Sequence, residues 1–479
     1  MIRQPSERLF WAYIVAFAAI YLALYPRTYA IEDEFNILSL AVSLSRGTVL
    51  LDRAGLDLDA DLLWNGHRIS KFSPFHAALL APAVVTDWHL AFAVTAAFAI
   101  AGAFVFRSML RREGLSSGWV ALYFLCPGVW FYSRTVIAAV PASVMVLLGA
   151  SLLLRREKSQ PGAAGVALSL GALFHPWMIP VSGALSVGWW LDAPRTRLRP
   201  LMVLLAAAAP AAAMLLLYNV YTTGSPFRNA YSLMGTQHGF KGENLATFLP
   251  LYAGSLLLMP LAGWAALSRR WSGSLAVPAA VGTVLIMASF YYFRDGIGHG
   301  LAGLLPGQRF LIPASMLACL PAARFLSHWA ARMAANRGQR SASIGQSRFV
   351  ASLPAAGLVC FVAGFAAVSL WHGVYLDAHA EVQAAIRSSI PDGSKVLVGE
   401  RAFKEFAPVL GTWRLLQVRD RLPNGTEREG AYGVWIGPEG TLPPPGWFSD
   451  PAPRRVPARS WVWNRNVWIG APAKAAIHP

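Results

Sequence analysis

The 479-residue chain is 55% hydrophobic and only 14% charged, with 41 Lys and Arg against 24 Asp and Glu and a formal charge of +17. Charged residues make up roughly a quarter of an ordinary soluble domain, so this composition excludes a water-soluble enzyme and reads as a polytopic membrane protein. The basic excess must then be read by place, because cations beside apolar runs report orientation and contact with anionic lipid, and no nucleic-acid-binding pattern accompanies them.

The first apolar run, Leu9 to Leu24, follows Arg3 and Arg8 and is long for a signal-peptide core. It is expected as a retained signal anchor that starts inside the cell. Directly after it comes "AIEDEFNILSLAVSLSRG", Ala30 to Gly47, which places three of the 24 acids side by side. Helical spacing puts Glu32 in line with Asn36, Ser39 and Ser43, whereas Asp33 shares a face with Ile37, Leu40 and Leu44. A carboxylate on an apolar face is costly unless paired or used, which makes Asp33 a candidate base with a raised pKa. Acids in a first helical turn also satisfy the macrodipole, and that reading needs no chemistry.

A second cluster, "NGHRISKFSPFHAALLAP", sets Arg68 and Lys71 before the short run Phe75 to Val85. At about eleven residues that run is too short to span comfortably. Were it to span, Arg107, Arg111 and Arg112 would fall outside, against the positive-inside tendency. The expectation is a juxtamembrane or re-entrant helix in a first outer loop covering residues 27–87. Arg68 and Lys71 there suit a lipid phosphate, and equally suit snorkelling at the membrane edge.

The remaining runs alternate, with spans expected at 88–106, 117–132, 136–154, 162–176, 177–191, 200–218, 246–267, 274–293, 309–326 and 349–370. With the first run this makes about eleven transmembrane helices. All other basic clusters then fall inside, among them Arg155/Arg156/Lys158, Arg195/Arg197/Arg199 and Arg269/Arg270. Polar residues gather instead on the outer face, at Ser133–Val136, Asn219–Asn244 and Arg294–Arg309. Arg134 and Arg309 lie there at helix boundaries, against the charge bias, where an Arg is expected to have a partner.

Several patterns carry less. Residues 298–303 fit GxGxxG but lack the strand-turn-helix context of dinucleotide binding. They read as a flexible lid in which His299, with Gln308 and Asn219, is a candidate substrate contact. Asp57, Asp59 and Asp61 fail the calcium-loop pattern, since Leu62 and Arg68 stand where Gly and Glu are required. His175 and His328 have no partner His at ligand spacing and read as satisfied or interfacial residues. Cys126, Cys319 and Cys360 each lie in an apolar run, so neither a disulfide framework nor a metal site is expected.

From about Trp371 the composition turns mixed polar. "DAHAEVQAAIRSSIPDGSKVLVGE" reads as helix, turn and strand, and "WRLLQVRD", "AYGVWIG" and "RSWVWNRNVWIG" as further strands. The expected organisation is an all-α polytopic membrane domain, 1–370, followed by a small extracytoplasmic α/β module, 371–479.

Taken in order, "DEFNILSLAVSLSRG", "SKFSPFHAALLAP", "PGVWFYSRTVIAAVPA", "YNVYTTGSPFRNAY" and "GQRFLIPA" resemble the membrane glycosyltransferases of the C-type superfamily, nearest to the protein O-mannosyltransferases and the lipid A aminoarabinose transferases. The resemblance covers about Leu9 to Leu326. It implies that an acid opening the first juxtamembrane helix is the catalytic carboxylate, a place taken by Asp33, with Glu34 or Glu32 as alternatives in register. It also implies that Lys71 meets the donor phosphate, although Ser70 stands where the family often has Glu and a single Pro74 replaces a Pro pair.

The expected activity is inverting transfer of a sugar from a polyprenyl-phosphate donor to an envelope acceptor on the outer face of the inner membrane. Asp33 acts as general base, and Lys71, with Arg68, Arg134 and Arg309, holds the phosphate; no metal or cofactor is expected. Two other classes compete. A flippase for lipid-linked saccharides predicts a sequence repeat and mid-membrane charges, which are not seen. A non-catalytic assembly scaffold would leave the acids without a chemical task.

Overall fold

The computed structural model describes residues 5–29, 31–51, 61–64, 67–155, 159–233, 242–258, 260–291, 308–335, 342–399, 414–418, 431–438, 443, 448, 454–459 and 464–470. The helices are α1 (Pro5–Ala23), α2 (Glu32–Ser45), α3 (Pro74–Thr86), α4 (Ala91–Arg112), α5 (Ala121–Phe124), α6 (Pro127–Tyr132), α7 (Ala139–Leu153) and α8 (Pro161–Phe174). They continue as α9 (Met178–Leu191), α10 (Pro194–Thr223), α11 (Ala230–Leu233), α12 (Gly242–Leu258), α13 (Arg269–Ser272), α14 (Ala276–Tyr291), α15 (Ile312–Ala335) and α16 (Ala342–Ser389). A hairpin, β1 (Asp61–Trp64) with β2 (His67–Ser70), separates α2 from α3.

Among the described residues three helices are long and apolar enough to cross a membrane: Trp88–Arg112, Pro194–Thr223 and Ser352–Ser389. Shorter apolar helices, including Ala139–Leu153, Pro161–Phe174 and Met178–Leu191, pack between them. The expected span at 117–132 is not one helix. A 3-10 turn, α5 and α6 follow one another there, because Pro127 cannot continue the helix before it and instead opens the next.

Ion pairs identify the two ends of the bundle. Arg107 in α4 pairs with Glu7 at the start of α1, Arg112 reaches Ser151 at the end of α7, and Arg324 bonds the Trp271 and Ser272 carbonyls while pairing with Glu113 at 2.9 Å. Asp192 collects Arg197 at 3.7 Å and Arg269 at 3.4 Å at the same end. The opposite end carries α2, the hairpin, α3, the α6–α7 connection and the segment 308–310. At 1.5 Å per residue, the 19 residues of α1 set the two ends about 28 Å apart.

The C-terminal strands β3 (Lys395–Gly399), β4 (Arg414–Val418), β5 (Tyr432–Pro438), β6 (Arg454–Arg459) and β7 (Asn464–Gly470) form one mixed sheet in the order β4-β3-β5-β7-β6. Strand β3 runs parallel to β4 and β5, and β7 antiparallel to β5 and β6. The expected boundary near Trp371 falls inside α16, whose 48 residues run from the membrane stretch to the turn before β3. Gly393, at φ +80°, supplies the left-handed residue of that turn.

Candidate active site

Helix α2 delivers the acids. Its first turn holds Glu32, Asp33 and Glu34, where negative charge complements the macrodipole. It ends in a Schellman closure, with the Thr48 N–H on the Ser43 carbonyl at 3.1 Å, the Gly47 N–H on the Leu44 carbonyl at 2.9 Å, and Gly47 at φ +81°. The predicted polar and apolar faces are both enclosed, since Asn36, Ser39 and Ser43 are buried like Ile37 and Leu40. Helix α2 packs against α3, and its buried middle leaves Asp33 in the first turn and Ser45 in the last turn reaching solvent.

Asp33 is the hub. Its Oδ2 accepts from Arg309 Nη1 at 2.7 Å, and its Oδ1 lies 3.7 Å from Lys71 Nζ. The side chains of Asp33, Lys71 and Arg309 are each about one-fifth exposed, at 20%, 21% and 22%. The expectation of a raised pKa is corrected here. Burial does push the Asp33 carboxyl upward, but the charges of Arg309 and Lys71 together outweigh it and hold the group below its ordinary value.

Each cation has its own support. Lys71 follows β2, where the Ser70 hydroxyl accepts the Phe72 N–H at 3.1 Å, and its ammonium sits 5.2 Å over the Phe72 ring. Arg309 lies 4.9 Å over the Phe310 ring, which in turn packs on Trp177. Ser73 caps α3, accepting the Phe75 N–H at 3.3 Å while donating to the Leu173 carbonyl. That second bond ties the start of α3 to the end of α8.

Glu34 points elsewhere. It is 1% exposed and accepts the Val136 N–H at 3.3 Å. The Val136 carbonyl meets His76 Nε2 at 2.7 Å, so one peptide segment between α6 and α7 clamps α2 to α3. Glu34 therefore has a structural task, and the side chain of Glu32 lies outside the described residues.

The other expected contacts divide. Arg134 is completely buried, and its Nη2 donates to the Leu24 carbonyl at 2.6 Å. There it caps the C-terminal end of α1, and burial pushes its pKa down to about 10. No described contact brings it to Asp33. Arg68 lies on β2, where its carbonyl accepts the Leu51 N–H at 3.0 Å. Asn219 closes the turn after α10, donating to the Pro226 carbonyl at 2.9 Å. His299 and the Gln308 side chain lie outside the described residues. Among the described residues no three His, Cys, Asp or Glu converge on one point.

Two histidines that the sequence left aside stand beside the hub. His175, between α8 and α9, is partly buried and lies within reach of the charges of Arg309, His76 and Asp33, and its Nδ1 accepts the Trp177 N–H at 3.3 Å. That bond fixes the neutral tautomer with hydrogen on Nε2. His76 is buried, and desolvation lowers its pKa to about 4, so its Nε2–H donates to Val136. Their only sequence signal is position, each directly after a Phe and within two residues of a Pro at a helix end.

The burial of His76 predicts acid sensitivity. Between pH 6.5 and about 4 the unfolded chain binds a proton that the folded one refuses, so stability falls as pH drops through that window. At pH 5 the loss is about 2 kcal/mol. In His76→Gln, the fall in thermal unfolding temperature between pH 7 and pH 5 in detergent is expected to shrink; an unchanged fall would show that His76 is not held neutral.

No protein-family profile matches the sequence, and no curated protein matches it. The fold does have a solved counterpart. The crystal structure of ArnT from Cupriavidus metallidurans in the apo state superposes with a TM-score of 0.57 over 95% of this chain and 97% of that one, at 14% identity. The archaeal oligosaccharyltransferase AglB from Archaeoglobus fulgidus, solved with an inhibitory peptide and a dolichol-phosphate, gives 0.47 over 85% of this chain and 64% of that one, at 12% identity. With the likeness covering nearly all of both chains, this protein shares the fold of ArnT.

Proposed function

We propose that the chain is an integral-membrane glycosyltransferase that moves a sugar from a polyprenyl-phosphate donor to an envelope acceptor, with inversion at the anomeric carbon. The observation that carries this reading is Asp33 held between Arg309 and Lys71, an acid and two cations on separate segments brought together at one end of an ArnT-like fold. The acid lies in the position that the sequence resemblance gives to the catalytic carboxylate.

As the structure stands, Asp33 is a weak base, because its charge is spent on its neighbours. An incoming phosphate changes that. It offers Arg309 and Lys71 a second anion, and as they turn to it the Asp33 carboxylate loses the charges that lower its pKa while remaining largely enclosed. Asp33 then takes the proton of the acceptor hydroxyl, and the acceptor oxygen attacks the anomeric carbon. The bond from that carbon to the phosphate oxygen breaks with its electron pair, and the two cations take the charge of the departing polyprenyl phosphate. Donor binding and base activation are thus one electrostatic exchange.

The topology proposed with this activity has about eleven spans, a cytoplasmic N-terminus, and the Asp33 site and C-terminal sheet on the outer face of the inner membrane. Its support is the charge asymmetry of the bundle, whose Glu7 end gathers Arg107, Arg111, Arg112, Arg155, Arg197, Arg269 and Arg324. The decisive experiment is transfer from radiolabelled polyprenyl-phosphate sugars in membranes carrying the protein. Label appearing in an acceptor supports the proposal; none across several donor sugars, with folded protein present, refutes it.

No metal is assigned a part, because Arg309 and Lys71 already supply the charge that a divalent ion would bring. Chelation with EDTA is expected to leave the transfer rate within about two-fold, a small change on the scale of losing a single phosphate-stabilising charge. Loss that is restored by added Mg²⁺ or Mn²⁺ would overturn this point.

A further inference from the structure

The other end of the bundle holds a cleft that the transfer reaction does not use. It has a volume of about 1240 Å³ and lies between the first turns of α1, the last turns of α4, the 3-10 turn at Ser117–Val120, and α16 at Pro354 and Ala355. A smaller cleft of about 390 Å³, with Phe104 and Ser108 in its walls, shares Arg107 and Arg111 with it. The length of α1 separates both from Asp33.

The charge inside the larger cleft is one-sided. Its acid, Glu7, is already taken, by Arg107 and by the Ser117 hydroxyl at 2.7 Å. Arg107 is fixed in turn over the Phe10 ring at 4.6 Å. Arg8 and Arg111 remain, both exposed and neither ion-paired among the described residues. Glu7 feels the charge of Arg111 as well as that of Arg107, so three cations, Arg8, Arg107 and Arg111, surround one acid, and the excess positive charge of the concave site attracts an anion.

The rest of the lining decides which anion. Below the cations lie Leu9, Ala12, Leu115, Pro354 and Ala355, which offer carbon to the occupant. On the same helices Trp11, Val15 and Phe104 are exposed, at 40%, 62% and 38%, as expected of a surface turned to acyl chains. A free phosphate would find partners only at the rim, whereas a phospholipid fits both parts.

We propose that this cleft is a binding site for an anionic phospholipid, its headgroup phosphate between Arg8 and Arg111 and its acyl chains along Leu9, Ala12 and the start of the apolar stretch of α16. The bound lipid stitches α1, α4 and α16 together at the end remote from the reaction. The proposal is independent of the chemistry at Asp33.

The test is native mass spectrometry of the full-length protein in detergent, titrated with phosphatidylglycerol, with phosphatidylethanolamine of the same chains, or with inorganic phosphate. Wild type is expected to retain phosphatidylglycerol in preference to the zwitterionic lipid. The double variant Arg8→Gln/Arg111→Gln should bind it roughly 10- to 30-fold more weakly, and Arg8→Lys/Arg111→Lys should restore binding. Equal retention of the two lipids by wild type overturns the proposal whether or not any variant folds. So does unchanged affinity in a folded Gln variant, or displacement of the lipid by millimolar inorganic phosphate.

Discussion

Asp33→Asn is expected to lower sugar transfer by about 100- to 10,000-fold, the range spanned by loss of a positioned general base. The substitution keeps the shape of the side chain and removes its ability to take a proton. It also removes the anion that competes with the donor for Arg309 at 2.7 Å and Lys71 at 3.7 Å. Donor binding is therefore expected to be preserved or tightened while the chemical step fails, a split between binding and turnover that simple misfolding cannot produce. The fold should survive, because the ion pairs around Asp33 are partly exposed and their loss costs about 1 kcal/mol once solvent screening is counted. Measured together, transfer rate, donor affinity and thermal unfolding decide the matter. A folded variant with undiminished transfer would remove Asp33 from the mechanism. Glu34→Gln is the matched control: it acts on the Val136 clamp and should cost stability more than turnover.

Asp33 and Arg309 could be singled out from the sequence because each broke a local expectation, an acid toward an apolar face and a cation against the charge bias, while Lys71 was marked by its place before the short apolar run and by the family resemblance. Their assembly could not be read there, since Arg309 lies 276 residues from Asp33 along the chain. Nor could the direction of the Asp33 pKa shift, which depends on whether burial or neighbouring charge prevails and so on distances alone. Arg134 shows the same limit from the other side. The sequence demanded a partner for it, and the carbonyl end of α1, 110 residues away, provides one. Helix boundaries blurred where apolar periodicity is uniform. Nothing between Ser352 and Ser389 breaks the helical backbone, so the change in composition near Trp371 leaves α16 continuous.

Arg309→Gln should reduce kcat/KM by about 100- to 1,000-fold, as expected when one charge-stabilising donor is lost from a transition state. The more telling expectation concerns pH. In the free enzyme, burial raises the Asp33 pKa and Arg309 is the strongest of the influences lowering it, ahead of Lys71. Removing Arg309 leaves burial opposed by Lys71 alone, so the pKa rises. The acid limb of the kcat/KM profile, which reports the base in the free enzyme, should therefore move to higher pH in the variant. Stability should follow the same linkage. In wild type the depressed pKa contributes stability above the ordinary carboxylate value of 3.8, and that contribution is lost as pH falls below it; in the variant it is diminished at neutral pH as well. Arg309→Lys, which keeps the charge without the forked geometry, should leave the acid limb nearer its wild-type place while still weakening donor binding. If the limb stays fixed in Arg309→Gln while the rate falls, Arg309 serves the phosphate alone and the titrating base is not the carboxylate beside it. If the limb shifts and Arg309→Lys shifts it less, the cation that receives the donor also governs the base, as the exchange of partners at Asp33 requires.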